Sequence, residues 1–131
     1  PDYVVGKTME ALNSVGKALN GSKVLILGLS YKKNVDDVRE SPSVELIKKF
    51  SEMGADISYS DPHVPKFKKM RKHKSDLESV PLTETTLKKY DCVVLSTNHD
   101  RFDYELITSA SKLIVDTRGV YKVDNIKIFR G

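Results

Sequence analysis

The sequence has a single cysteine, Cys92, and so no internal disulfide. A lone thiol fits a reducing compartment, and the expected location is cytoplasmic. No apolar run approaches the roughly 18–20 residues of a membrane span. The first residues also lack the pattern of a secretory signal. No internal repeat, low-complexity tract or linker interrupts the 131 residues, which suffice for one core. His63, His73 and His99 share no metal-ligand spacing with one another or with Cys92, so no metal site is expected. All three read as surface or loop histidines. His99-Asp100 has no serine or cysteine nucleophile motif beside it.

Charge is present but uneven. The formal net charge is +4, and Lys66, Lys68, Lys69, Arg71, Lys72 and Lys74 fall within one nine-residue stretch. Removing those six turns the balance negative, so the basic character belongs to one segment. A nucleic-acid-binding module built on residues 66–74, with Phe67 as a stacking group, is the alternative reading this run supports. A like-charged run is more often a solvated loop.

Along the chain, Val5, Met9, Leu12, Val15 and Leu19 recur at helical spacing, which predicts a helix over residues 3–19 stopped by Asn20-Gly21. With no capping residue before Tyr3, that helix reads as the end of a longer element. Val24-Leu25-Ile26-Leu27 is an uninterrupted apolar run, as expected of a strand covered on both faces. Ser41-Pro42 opens a second helix, serine as cap and proline in the first turn, with Val44, Ile47, Phe50 and Met53 as its inner stripe and Gly54 as its stop. Ala55 to Ser60 reads as a strand turned by Asp61-Pro62. Further elements are expected as a short strand near Leu77–Val80, a short helix over Thr83–Lys89, a buried strand at Cys92–Leu95, a helix over Phe102–Ser109, a strand at Leu113–Val115 and an edge strand at Ile126–Phe129. Buried strands alternating with helices predict an α/β domain, Rossmann-like, with a mostly parallel doubly wound sheet and helices on both faces.

In such sheets ligands sit outside the carboxyl ends of the strands, where the strand order reverses. Three loops leave strand ends here: Leu29–Glu40, Thr97–Asp103 and Asp116–Tyr121. The first holds Tyr31, Lys32, Lys33 and Arg39; the third holds Arg118 beside Gly119. Arg39 precedes a helix N-terminus, which favours anions. Arginine offers a planar fork to phosphate oxygens and lysine a mobile charge. The set reads as an anion site for a phosphorylated ligand, against the plainer reading of solvated loop charges. The first strand-to-helix turn lacks G-x-G-x-x-G, having Gly28 followed by bulky residues, so it is not expected to be the main NAD site. Cys92 lies mid-strand, where cysteine behaves as a small hydrophobe rather than a catalytic thiolate.

The stretch Gly28 to Ser43 (GLSYKKNVDDVRESPS) resembles the signature that opens the UDP-binding domain of the UDP-glucose/GDP-mannose dehydrogenases. Gly54-Ala55, Tyr59-Ser60-Asp61-Pro62, Asp91-Cys92-Val93-Val94 and Asp116-Thr117-Arg118-Gly119 continue the resemblance across nearly the whole chain. Pro1-Asp2-Tyr3-Val4-Val5 is similar to the end of the family's central helical segment. The resemblance implies residues 1–20 as the end of a connecting helix and 21–131 as a UDP-sugar-binding domain. It implies an NAD-dependent enzyme that oxidises C6 of a nucleotide sugar to a carboxylate. NAD and the catalytic cysteine would be held by an N-terminal domain this chain lacks. The chain would therefore carry no catalytic residue and be inactive alone. By the same resemblance Tyr31, Lys32 and Arg118 contact the UDP-sugar, and Arg39 touches NAD at the interdomain cleft. The implied partners are the missing N-terminal and central domains and further copies in a homo-oligomer. No membrane is implied, and the family's setting is polysaccharide precursor synthesis. The first motif is most similar to the branch acting on UDP-N-acetyl-hexosamines, with UDP-glucose next and GDP-mannose after it. A phosphoacceptor receiver domain shares the fold class, but Asp36-Asp37 lies too far beyond the first strand for its acidic pocket. Apolar surface along residues 4–19 is expected to stay exposed and to favour self-association.

Overall fold

A computed structural model describes residues 2–30, 34, 41–67, 77–122 and 125–130. Five parallel strands form the main sheet: β1 (Lys23–Leu27), β2 (Asp56–Ser60), β5 (Cys92–Leu95), β6 (Ile114–Asp116) and β7 (Ile128–Arg130). Their order is β2-β1-β5-β6-β7. Period-two geometry sends alternate side chains of each strand to opposite faces, and both faces are buried. Val24, Ile26, Cys92, Val94 and Val115 meet α1 (Asp2–Asn13) and α2 (Pro42–Glu52) on one side. Leu25, Leu27, Val93, Leu95 and Ile114 meet α3 (Glu84–Leu87) and α4 (Tyr104–Ala110) on the other. This is the doubly wound arrangement expected from the unbroken apolar runs. A separate antiparallel pair, β3 (Lys66–Phe67) with β4 (Leu77–Glu78), flanks β2.

Three expectations need correction. The first helix ends at Asn13, not Leu19. Gly16 adopts φ 74°, Lys17 N–H donates to the Leu12 carbonyl and Gly16 N–H to that of Asn13. That is a Schellman termination, and it overrides the apolar residues that continue the helical spacing. Val15 is left exposed, while Leu19 still reaches the core from a turn. In α2 the buried stripe is Ser43, Leu46, Ile47 and Phe50, and Met53 is exposed. The serine cap and proline start stand as expected, Ser41 Oγ accepting from Ser43 N–H. The last helix begins at Tyr104, two residues late, because the Asp103 side chain accepts from Leu106 N–H and so fixes the start.

Tyr3, Met9 and Val15 are the exposed large apolar residues along residues 3–15. Lys66, at the start of the basic run, pairs across β3–β4 with Glu78, both highly exposed. Phe67 packs against the core rather than standing free for a base. The remainder of the run lies outside the described residues.

Cys92 is fully buried in the central sheet. Burial, aided by the Asp91 charge, pushes its thiol up to about 12. Thiol-reactive probes at pH 8 should therefore label the folded chain only at its rate of global opening, and labelling should become immediate in urea. Rapid labelling of folded protein would refute this placement.

Candidate functional site

Strand order reverses at β1, which has β2 on one side and β5 on the other. The crevice at the carboxyl ends of β1 and β5 is where the sheet itself places a ligand. Its floor is tightly tied. Ser96 N–H and Thr97 N–H both donate to the Leu27 carbonyl, at 2.9 and 3.1 Å. Thr97 Oγ1 donates to the Ser30 carbonyl at 2.9 Å. Ser43 Oγ donates to the Gly28 carbonyl at 2.7 Å and lies 2.6 Å from Ser96 Oγ. Ser41 Oγ donates to the Leu29 carbonyl at 2.6 Å. The start of α2 is thus locked to the ends of β1 and β5.

Beneath this lies a buried carboxylate. Asp61, 1% exposed, accepts Leu29 N–H at 2.7 Å and Ser30 N–H at 3.0 Å on Oδ2, and His63 N–H at 2.7 Å on Oδ1. His99 Nε2 stands 2.9 Å from the same Oδ2. Burial alone would push the carboxyl pKa up. The His99 bond and the three amide donors outweigh it and hold the group below its ordinary 3.8. His99 is itself fully buried, which corrects the expectation of a surface histidine. Its Nδ1 accepts Asn34 N–H at 2.7 Å.

Among the residues singled out from sequence, Arg118 is described. It lies on the loop after β6, exposed, with Nε donating to the Ser96 carbonyl at 2.7 Å and its amide to Asp116 Oδ1 at 2.9 Å. It is therefore anchored to the carboxyl end of β5, beside the crevice. Its Nη atoms make no hydrogen bond among the described residues. Tyr31, Lys32 and Arg39 lie outside the described residues, although their neighbours Ser30, Asn34 and Ser41 do not. Sequence reading missed Asp61, His99 and Asn34. Asp61-Pro62 carried a visible turn signal, but nothing local marked its long-range partners Leu29, Ser30 and His99.

A pocket of about 340 Å³ opens beside the same end of the sheet, lined by Ser60, Pro62, Val80, Leu82 and Phe102 among others. A larger groove of about 660 Å³ lies between α1 and the β7 segment. Its lining includes Lys7 and Arg130, but Lys7 is paired with Glu10 at 3.0 Å and the groove lies away from the carboxyl ends of β1 and β5, so we place the candidate site at the crevice. Gly28, directly after the first strand, is in close contact with the loop after β5. It has a positive φ of 91°, and the space beside its Cα is filled by Thr97, whose backbone O and N would stand 2.7 and 2.8 Å from a Cβ.

Comparison with known proteins follows the same lines. Residues 25–123 match the model of the UDP-glucose/GDP-mannose dehydrogenase family, UDP binding domain. A UDP-N-acetyl-D-mannosamine dehydrogenase of Methanococcus maripaludis is 33% identical, over 92% of this chain and 27% of the relative. A UDP-glucose 6-dehydrogenase of Rhizobium meliloti is 28% identical, over 89% of this chain and 28% of the relative. The crystal structure of an NDP-N-acetyl-D-galactosaminuronic acid dehydrogenase from Methanosarcina mazei superposes with a TM-score of 0.75 and 25% identity, over all of this chain and 28% of that one. The chain thus spans less than a third of the length of these relatives.

Proposed function

Because the chain belongs to the UDP-glucose/GDP-mannose dehydrogenase family through its UDP binding domain, we propose that it supplies the nucleotide half of the substrate site of an NAD-dependent nucleotide-sugar 6-dehydrogenase. The carrying observation is Arg118, whose Nε is pinned to the Ser96 carbonyl at the crevice while its Nη atoms stay unengaged among the described residues. An anchored guanidinium is pre-organised for two phosphate oxygens. Tyr31 and Lys32 join it as substrate contacts. Arg39 faces NAD, which is held mainly by a domain outside this chain. Residues 1–20 belong to the connecting segment, whose helix ends at Asn13, and 21–131 to the UDP-sugar-binding domain.

In this reading the chain's residues bind and orient the diphosphate and move no proton or hydride. The substrate is a UDP-N-acetyl-hexosamine, supported by the 33% identity to a mannosamine enzyme, with UDP-glucose as the second candidate. The setting is cytoplasmic polysaccharide precursor synthesis, in a homo-oligomer. Among the described residues no helix is long and apolar enough to cross a membrane.

The test is an NMR titration of the labelled chain with UDP, and with CMP as control. Saturable shifts are expected at Gly28–Ser30, Asn34 and Ser96–His99 with UDP. Arg118→Ala should weaken binding roughly 10-fold or more, the usual loss for a charged hydrogen-bond donor, and Lys32→Ala should act in the same direction. Equal response to CMP, or no effect of either substitution, would overturn the reading.

A further inference from the structure

We infer that Asp116 is a positioning residue: its carboxylate closes both ends of the turn from Arg118 to Tyr121 and so aims the Arg118 guanidinium at the phosphates of the nucleotide. The inference rests on the proposed nucleotide half-site and deepens it.

Asp116 is the last residue of β6 and is 1% exposed. Its Oδ1 accepts the Arg118 amide and its Oδ2 the Tyr121 amide, each at 2.9 Å. An aspartate that accepts backbone N–H groups just ahead of it in the chain builds a turn, and bonds to an ionised acceptor are stronger than neutral ones. Here one side chain takes both ends of the turn at once. The backbone on either side of the Arg118 side chain is therefore fixed relative to β6, whose register with β5 sets Asp116 beside Leu95.

The neighbouring elements complete the geometry. Thr117 Oγ1 donates to the Leu95 carbonyl and Arg118 Nε to the Ser96 carbonyl, both at 2.7 Å. The far end of the turn is held by Tyr121 Oη, which donates to the Tyr104 carbonyl at the start of α4 over 2.9 Å. The Arg118 Nη atoms make no hydrogen bond among the described residues, and the residue is exposed. A guanidinium whose backbone and Nε are both fixed loses little freedom when its fork meets phosphate oxygens. A carboxylate that merely satisfied two buried amides would have no bearing on what that guanidinium binds.

The experiment reads that difference. In the 131-residue chain, scalar couplings across hydrogen bonds are expected from the Arg118 and Tyr121 amide nitrogens to Asp116 Cγ, and from Arg118 Nε to the Ser96 carbonyl carbon. Asp116→Asn is nearly isosteric and keeps one oxygen, but its amide group faces an N–H that it cannot accept. In that variant the Nε coupling should weaken or vanish, and UDP affinity should fall about 3- to 10-fold, the loss of one hydrogen bond. In an Arg118→Ala background the same substitution should change UDP affinity by less than about 2-fold, because the two residues act through one contact. An equal fall in both backgrounds, an unchanged affinity or a full Nε coupling in Asp116→Asn would overturn the positioning role. So would absence of the Asp116 couplings from the unsubstituted chain, which needs no variant to fold. If the unsubstituted chain ignored UDP, the half-site reading would fail instead, and the Nε coupling in Asp116→Asn would still decide whether Asp116 aims the guanidinium.

Discussion

Asp61→Ala should remove about 3–5 kcal/mol of folding stability, the usual result of deleting one partner of a buried charged network. The carboxylate gathers four donors: the amides of Leu29, Ser30 and His63, and His99 Nε2. Alanine leaves all four in a site that water barely reaches, and each unsatisfied buried donor is worth about 1–3 kcal/mol before relaxation. Since domains of this size are stable by only about 5–15 kcal/mol, urea denaturation should register a large drop in midpoint. Asp61→Asn should lose less, because its carbonyl oxygen still accepts while its amide faces a donor. The pH dependence has a defined sign. The folded state holds this carboxyl below its ordinary 3.8, so its stabilisation is complete above that value. It is lost as pH falls through the lower folded-state value. The asparagine variant should lack that component of acid unfolding, and an identical acid profile would show that Asp61 contributes none of it.

Gly28→Ala is the second large effect, expected at roughly 2–6 kcal/mol from a strained dihedral combined with overpacking. Gly28 sits at φ 91° where β1 leaves the sheet, and a Cβ would run into the Thr97 side chain and backbone. The Thr97 backbone cannot move aside easily, since its N–H is bonded to Leu27 and its hydroxyl to the Ser30 carbonyl. Gly16→Ala is the internal control. Gly16 has φ 74° but nothing within 4 Å of a Cβ, so only the dihedral strain of about 1–3 kcal/mol applies. Equal losses at the two positions would show that the contact with Thr97 carries no energy.

The elements that were legible in the sequence are those whose cause is local. Val24 to Leu27 is apolar at every position, and a strand with both faces covered follows directly. Ser41-Pro42 states a helix start in two adjacent residues, and the structure has one there. Where a local signal competed with another, reading failed: Leu19 extended the helical spacing, but Gly16 in the left-handed region ended the helix first. The site divides in the same way. Arg118 could be placed because it follows a strand end. His99 could not, because its surroundings are assembled from Ser30 and Asn34 on one loop and Asp61 on another, all distant from it in sequence. No window of sequence distinguishes a histidine clamped on both nitrogens from one in solvent.

The strand order has a consequence for how the chain acquires its shape. β1 lies inside the sheet yet precedes both its neighbours in sequence, so on a ribosome it emerges with two open edges. β2 closes one edge after a single helix. The other stays open until β5 is made, a delay on the order of seconds at about 5–20 residues per second. Until then Val24 to Leu27, the most apolar strand to emerge before β5, is a template for stray pairing between nascent chains. The unit from β1 through β2 should therefore form early and shield one side, and the interval before β5 emerges is when slowed synthesis would most favour aggregation.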